Sequence, residues 1–507
     1  MASPSEKLAS SLEILRDLQN KGHSVFKGKQ LTQTHRERLI RNGFIRSIIK
    51  GWYIPTRPDE QPGESTSWFT SFWGFCSAYL TARLGDDWWL SPEQSLAIHS
   101  GNWAVPAQLL VRSTKGNNNT IQLPFNTSIF EIKSTQNGGM VEELDNVRVL
   151  SLPSSLVYSS PVVFRESPID VRTALATIAD ASQVLEVLLQ GGHSVVAGRL
   201  AGAFRNIGNQ RIADEIYKTM KAAGYDVREQ DPFETPALVD FNLRIKSPYV
   251  NRIKAMWKEM REPIPLYFPE PPGLTQDKDA YIRKVDDLFT TDAYHSLSIE
   301  GYQVSEGLIE SVRNGDWNPE ERETDRQQKD AMAAKGYWQA FQSVKESIRK
   351  IMSGENPGEL ADAAHGDWYR ELWGPSVAAG LLKPSDLAGY RNGPVYIKQS
   401  KHVPLNQDAV REAMPTLFEL LAEEKEASVR TVLGHFIFVY IHPYMDGNGR
   451  IARFLMNTML ASGGYPWTII KVENRDEYMA ALEQASVSQN IEPFAKFIGD
   501  RVKQSDT

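Results

Sequence analysis

Two apolar periods alternate along this chain of 507 residues, and the changes between them mark out its parts. Leu8, Leu12, Leu15 and Leu18 fall on one face of a 3.6-residue repeat, which predicts a first helix. A second, shorter helix is expected around Arg36, Leu39 and Ile40, ending at Asn42 and Gly43, a pair suited to a helix C-cap. The runs Phe44–Ile49 and Trp52–Ile54 flank Lys50 and Gly51 and predict a two-stranded wing. Residues 1–60 thus read as a winged helix-turn-helix-like domain, with Gln33, Thr34, His35, Arg36 and Arg38 as its groove-facing side chains. Pro55–Ser67 is rich in Pro, Gly, Ser and Glu and reads as a linker. Trp68, Phe69, Phe72, Trp73, Phe75 and Tyr79 then crowd one buried helix. Short strands follow at 109–111, 120–123 and 128–132, broken by Gly116–Asn119, so 61–165 is expected to be a small α/β domain. Helical spacing returns over 170–189 and 199–220, giving a helical segment 166–245. Asp231, Pro232 and Pro236 interrupt it, with a boundary near 240–250. Pro263, Pro265, Pro269, Pro271 and Pro272 lead on, extended, into a last helical region.

Composition adds little to this picture except in one place. Hydrophobic and charged contents of 41% and 23% are those of an ordinary globular chain, and the length calls for several domains. Cys76 is the only cysteine, which excludes a disulfide framework and a cysteine-rich metal site and suits a reducing, cytoplasmic setting. Met1–Ser10 lacks the basic and apolar regions of a signal peptide, and Phe436–Ile441 is far too short to span a bilayer, so no membrane is expected. The net charge is −7, yet residues 21–57 hold nine basic side chains against Glu37 alone. That local basicity is the argument for DNA as an N-terminal partner.

The chemistry concentrates in His442–Arg453. Gly447 and Gly449 permit the positive φ angles that gather backbone N–H groups into an anion nest. Ile451, Phe454, Leu455 and Met459 have helical spacing, so the loop feeds a helix N-terminus whose dipole favours phosphate. Arg450 and Arg453, three residues apart, share a helix face and both reach one polyphosphate. Asp446 offers the hard oxygen that Mg²⁺ takes when it bridges a carboxylate and substrate phosphates. His442 is suited to general-base work near neutral pH. The apolar helix Ala427–Ile441 holds it rigidly, with His435 as a core histidine.

His442-Pro-Tyr-Met-Asp446-Gly-Asn-Gly449-Arg450-Ile-Ala-Arg453 resembles the Fic signature, with Tyr444 in place of the usual Phe. The resemblance implies an all-α Fic core over 246–507, in a multidomain, predominantly α chain. His442 would be the base, Asp446 the Mg²⁺ ligand, and Gly447, Asn448, Gly449, Arg450 and Arg453 the ATP phosphate ligands. Ser296–Gly301 resembles the family's inhibitory helix (291–301 here), in which Glu300 pairs with Arg453 and denies ATP its productive pose. Tyr390–Lys398 resembles the β-hairpin flap that pairs with a target's backbone, giving Val395, Tyr396, Ile397 and Lys398 a docking role. Tyr478, in Arg475-Asp-Glu-Tyr478, resembles the tyrosine that lines the adenine pocket. The N-terminal part resembles AbiEi-type antitoxins.

By resemblance, the expected activity is auto-inhibited transfer of AMP from Mg·ATP to a Ser, Thr or Tyr hydroxyl of a protein, the chain itself included. A second role for Glu300 in removing AMP, and a homodimer, also belong to this expectation. Doc-type kinases carry Lys for the second glycine and lack the second arginine, so Gly449 and Arg453 favour nucleotidyl transfer. UMP or GMP transfer stays open. So does a different class, a DNA-binding regulator or antitoxin-like protein whose Fic part only senses nucleotide.

Overall fold

The computed structural model describes residues 3–20, 25–61, 63–134, 139–233, 247–317 and 325–505. Lys21 of the basic segment, Pro236 and most of the expected 240–250 boundary lie outside them. The chain forms two compact units: residues 1–252 with 396–403, and residues 253–395 with 404–507. The three N-terminal divisions expected from the sequence are thus joined in one unit.

In the first unit, α1 (Pro4–Asn20) and α2 (Gln33–Arg41) pack on β1 (Phe26–Lys27), β2 (Ile45–Ile49) and β3 (Trp52–Pro55). Leu15, Phe26, Leu31, Leu39 and Ile45 form their core. The wing hairpin gains a third strand, in the antiparallel order β1-β3-β2. The aromatic helix α3 (Thr66–Leu84) buries Trp68, Phe72 and Phe75 against a sheet. That sheet comprises β4 (Trp89–Leu90), β5 (Gln108–Ser113), β6 (Thr120–Leu123) and β7 (Thr127–Lys133), in the order β4-β5-β7-β6 with β5 and β7 parallel. Between β4 and β5 lies α4 (Pro92–His99), and β8 (Val141–Leu144) pairs with β9 (Val147–Leu150). Helices α5 (Leu152–Tyr158), α6 (Val163–Glu166), α7 (Pro168–Thr177), α8 (Ala181–Gly191), α9 (Ser194–Asn206) and α10 (Gln210–Ala222) complete the described run. The expected helix over 170–189 is two helices, because Asp180 caps a fresh N-terminus by accepting from the Ser182 N–H at 2.9 Å.

Residues 396–403 are built into this unit although their chain neighbours are not. The Gln399 N–H donates to Thr66 Oγ1 (3.1 Å), and the Lys401 carbonyl accepts from the Val105 N–H (2.8 Å). Lys398 pairs with Glu64 at 3.4 Å, and Val403 packs on the aromatic core.

The second unit is helical. After α11 (Pro248–Arg261), which crosses the division, come α12 (Lys278–Ile299), α13 (Glu306–Asn314), α14 (Asp325–Met352) and α15 (Pro357–Ala378). Then follow α16 (Gln407–Glu423), α17 (Ala427–Ile441), α18 (Asn448–Ala461), α19 (Arg475–Val487) and α20 (Glu492–Ser505). Every residue of α17 except Val439 is buried, as its all-round apolar sequence dictates. It packs along α18, and the turn joining them carries the signature. Among the described residues, no helix is long and apolar enough to cross a membrane.

Candidate functional site

Helix α17 stops because His442 turns left-handed, at φ 55° and ψ 61°. Its ring is oriented by Nδ1, which donates to the Val439 carbonyl at 3.2 Å. A carbonyl only accepts, so the proton sits on Nδ1 and the Nε2 lone pair is left for a substrate. Burial pulls the His442 pKa down to about 4, so the ring is neutral and able to accept a proton at pH 7. Arg391, 2% exposed, holds this turn by its main chain and side chain. Its Nε donates to the His442 carbonyl (2.8 Å), its Nη1 to Gly393 (3.0 Å), its Nη2 to Leu405, and its N–H to the Pro443 carbonyl (2.9 Å).

The loop that follows is latched from within. Tyr444 is 1% exposed and stacks on Tyr369 with centroids 3.9 Å apart, the inward packing its place in the motif requires. The Asn448 side chain accepts from the Tyr444 N–H and donates to the Tyr444 carbonyl, both at 2.9 Å. The amide oxygen and one of its two N–H donors are thus used in shaping the loop. Gly447 adopts φ +87° and caps α18. Gly449 lies inside the first turn with no positive φ, a correction to the expected nest. What Gly449 supplies is room, since a Cβ there would collide with Glu300 Oε1. Asp446 Oδ1 accepts from the Gly447 N–H at 2.6 Å, and the Asp446 side chain is 69% exposed. It could therefore give its other oxygen to Mg²⁺ held jointly with substrate phosphates. Among the described residues, no group of three or more His, Cys, Asp or Glu forms a cage.

Helix α12 brings Glu300 to the arginines. Arg453 Nη2 reaches Glu300 Oε1 at 2.7 Å and the Ser296 carbonyl at 3.0 Å, while Nε donates to Ser296 Oγ at 2.9 Å. Burial alone would push the Glu300 pKa up, but Arg453 and then Arg450 outweigh it and hold the carboxyl below its usual range. Arg453 responds in the opposite sense: burial opposes its charge, and the Glu300 field carries its pKa upward. Arg450 is fully buried and none of its three guanidinium nitrogens has a hydrogen-bond partner. Asp446 is 3.6 Å from it.

Other expected residues fall elsewhere. Tyr478 is 1% exposed, with its hydroxyl 2.7 Å from His435 Nε2 and its ring among Phe494 and Phe497, so it faces the core and offers no open face to a base. No strand forms over Tyr390–Lys398, so the expected hairpin is absent. Pro394 has no N–H to give, Arg391 is tied to the His442 turn, and Tyr396, Ile397 and Lys398 belong to the first unit with Val395 left in the second. In α2, Arg36 donates to the Gly28 carbonyl, His35 shares a hydrogen bond with Ser11, and Arg38 donates to Ser11 and the Lys7 carbonyl. Gln33 donates to Glu37, and of the five only Gln33 and Thr34 are exposed. Tyr302 and Trp373 entered no sequence argument, and Arg391 entered only as part of the expected flap, because lone aromatic and basic residues outside the signature carry no spacing signal.

The profile of the Fic/DOC family matches residues 365–460, from α15 through α18. The chain carries a Fic domain. Over 125 residues, 24% of this chain, it is 36% identical to the protein adenylyltransferase Fic of Drosophila willistoni, 24% of which is covered. Over 123 residues it is 34% identical to the protein of the same name from Nematostella vectensis, covering 24% of this chain and 28% of that one. The chain thus spans about a quarter of the length of these curated relatives. A solved Fic-1 structure from C. elegans aligns at 17% identity and a TM-score of 0.39, over 66% of this chain and 96% of that one. The matched Fic domain holds His442, Asp446, Arg450 and Arg453, whereas Ser296 and Glu300 lie before its first residue.

Proposed function

We propose that the chain is an auto-inhibited protein adenylyltransferase, transferring AMP from Mg·ATP to a protein hydroxyl. The observation that carries this reading is a neutral His442 whose Nε2 is free, beside an exposed Asp446 and two buried arginines. Nε2 takes the proton from the acceptor hydroxyl as its oxygen attacks the α-phosphorus. The bond from that phosphorus to the α–β bridging oxygen breaks, and pyrophosphate leaves with the negative charge. Arg450 and Arg453 hold that charge, and the N–H groups at the start of α18 face the phosphates under its dipole. Asp446 would hold the metal ion, which when bound neutralises phosphate oxygens.

Glu300 is the brake. Its carboxylate occupies Arg453, and Gly449 lets it approach so closely that a polyphosphate must displace it. Residues 395–398 would present the target, once freed to pair with its backbone. The adenylyltransferase relatives support ATP over UTP or GTP, and Tyr478 is buried away from that choice.

In a Glu300→Gly background, His442→Ala should abolish transfer to protein while ATP affinity and circular dichroism stay unchanged. Transfer retained by that double variant would remove His442 as the base.

A further inference from the structure

Arg450 poses a physical problem that its motif role leaves unsolved. A guanidinium stays charged at any accessible pH, and a buried one ordinarily spends its five donors on oxygens. Arg450 is 0% exposed, yet its Nε, Nη1 and Nη2 make no hydrogen bond, and Asp446 Oδ1 stands 3.6 Å from Nη2, outside hydrogen-bond reach. What it has besides is two aromatic faces. Its carbon Cζ lies 4.7 Å from the Trp373 ring centroid and 5.1 Å from that of Tyr302. Each is within the range where a ring quadrupole stabilises a cation.

The two rings come from separate and well-fixed places. Trp373 stands on α15, 8% exposed, and its edge lies against Gly447 so closely that a Cβ there would sit 2.9 Å from the indole Nε1. That Nε1 is itself buried without a partner. Tyr302 is fixed by its main chain, its N–H donating to the Leu297 carbonyl (3.1 Å) two residues beyond Glu300. Burial pushes its phenol pKa up while Arg450 beside it pulls the other way.

We infer that Tyr302 and Trp373 are positioning residues that clamp Arg450 between two aromatic faces and keep its donors unspent for a polyphosphate. An arginine that hydrogen-bonds its carboxylate must break that bond before binding phosphate, as Arg453 must break from Glu300 at 2.7 Å. Arg450, held by rings and with Asp446 3.6 Å away, gives up no hydrogen bond when the anion arrives, so its side-chain entropy and most of its desolvation are settled in advance. The two arginines are thus divided in role: Arg453 is the one the brake holds, and Arg450 is the one kept ready.

This inference rests on the nucleotide-transfer reading, and its test measures binding separately from chemistry. Titrate ATP and adenosine calorimetrically into full-length Glu300→Gly and into that chain with Tyr302→Ala, Tyr302→Phe, Trp373→Leu or Trp373→Phe added. Tyr302→Ala and Trp373→Leu should each weaken ATP about tenfold, the size of one desolvated cation–π contact, and leave adenosine unchanged. The two Phe variants keep a ring and should stay within about twofold of the parent. Equal losses for ATP and adenosine would mark a merely structural role and overturn the clamp, as would undiminished ATP affinity in Tyr302→Ala and Trp373→Leu. A parent that binds no ATP would overturn the nucleotide reading itself, and with it the ligand assigned to Arg450.

Discussion

At pH 7 His442 is neutral because burial brings its pKa to about 4, and this sets the acid limit of the proposed reaction. Transfer by Glu300→Gly should persist at pH 5, where an ordinary histidine near 6.5 would be almost wholly protonated, and should fall only as pH approaches 4. A half-maximal point near 6.5 in kcat/KM would contradict this. The same shift has a stability consequence. His435, at about 3, and His442 resist protonation in the fold, whereas the unfolded chain binds protons below about 6.5. Their term is therefore harmless above 6.5 and weakens the fold as pH drops from there toward 4. Arg391 supports His442, the proposed base, from outside the signature. Arg391→Met leaves carbonyls of residues 393, 405 and 442 without their donor, and should lower kcat at least tenfold with the KM for ATP little changed. An unaltered kcat would mean that the His442 turn holds itself. At this scale the signature was legible because His442, Asp446, Arg450 and Arg453 sit at fixed spacing. The roles of Asn448 and Gly449 were not, because they depend on which atoms the folded loop brings next to them.

Helix α12 ends in a Schellman cap, and that cap aims Glu300, the proposed brake. Gly301 takes φ +88°, its N–H donates to the Ser298 carbonyl (3.0 Å), and the Tyr302 N–H donates to Leu297 (3.1 Å). Glu300 is the cap residue itself, so its direction is fixed by the turn and not by its own flexible chain. A Cβ at Gly301 would meet nothing within 4 Å, so the cost of Gly301→Ala is purely that of a left-handed alanine, about 1 kcal/mol. It should loosen Glu300 and raise basal transfer by less than Glu300→Gly does. Basal transfer unchanged in Gly301→Ala, when Glu300→Gly is active, would detach the cap from the brake. Removing the carboxylate leaves Arg453 buried and short of a partner. Glu300→Gly should therefore lose about 2 kcal/mol, less than a fully buried pair because a quarter of the Glu300 side chain is exposed. Saturating ATP should restore that loss in a thermal melt, and a melt unaffected by both changes would argue against the pair. Periodicity predicted α12, α17 and α18 because each has an apolar face or an apolar girth. The hairpin at 390–398 failed because a turn signal at Asn392 and Gly393 says nothing about which groups the flanks already use. Arg391 and the contacts of residues 396–403 use them.

At the scale of the whole molecule, the chain passes from the second unit into the first at Tyr396 and returns at Pro404. The residues just after the stretch proposed to dock a target are thus tied to the N-terminal core by the backbone of Gln399 and Lys401. Amide exchange at residues 398–402 should follow the opening of the first unit, as Val105 does, and not that of the Fic helices. Exchange of these residues in step with α17 and α18 would refute this. Sequence alone placed the aromatic core of α3, the strands around Gly116 and the helical catalytic part, all of them patterns of local period. It did not foresee that residues 396–403 leave their neighbours, because a long-range contact leaves no period in the chain. The central claim, a nucleotidyl transfer site held shut by Glu300, is tested most directly by intact mass after incubating the wild-type chain and Glu300→Gly with Mg·ATP. The account predicts a gain of one AMP unit in Glu300→Gly and little or none in wild type. An equal gain in both would contradict the brake, and no gain in either, on the chain or on added protein acceptors, would contradict the transfer.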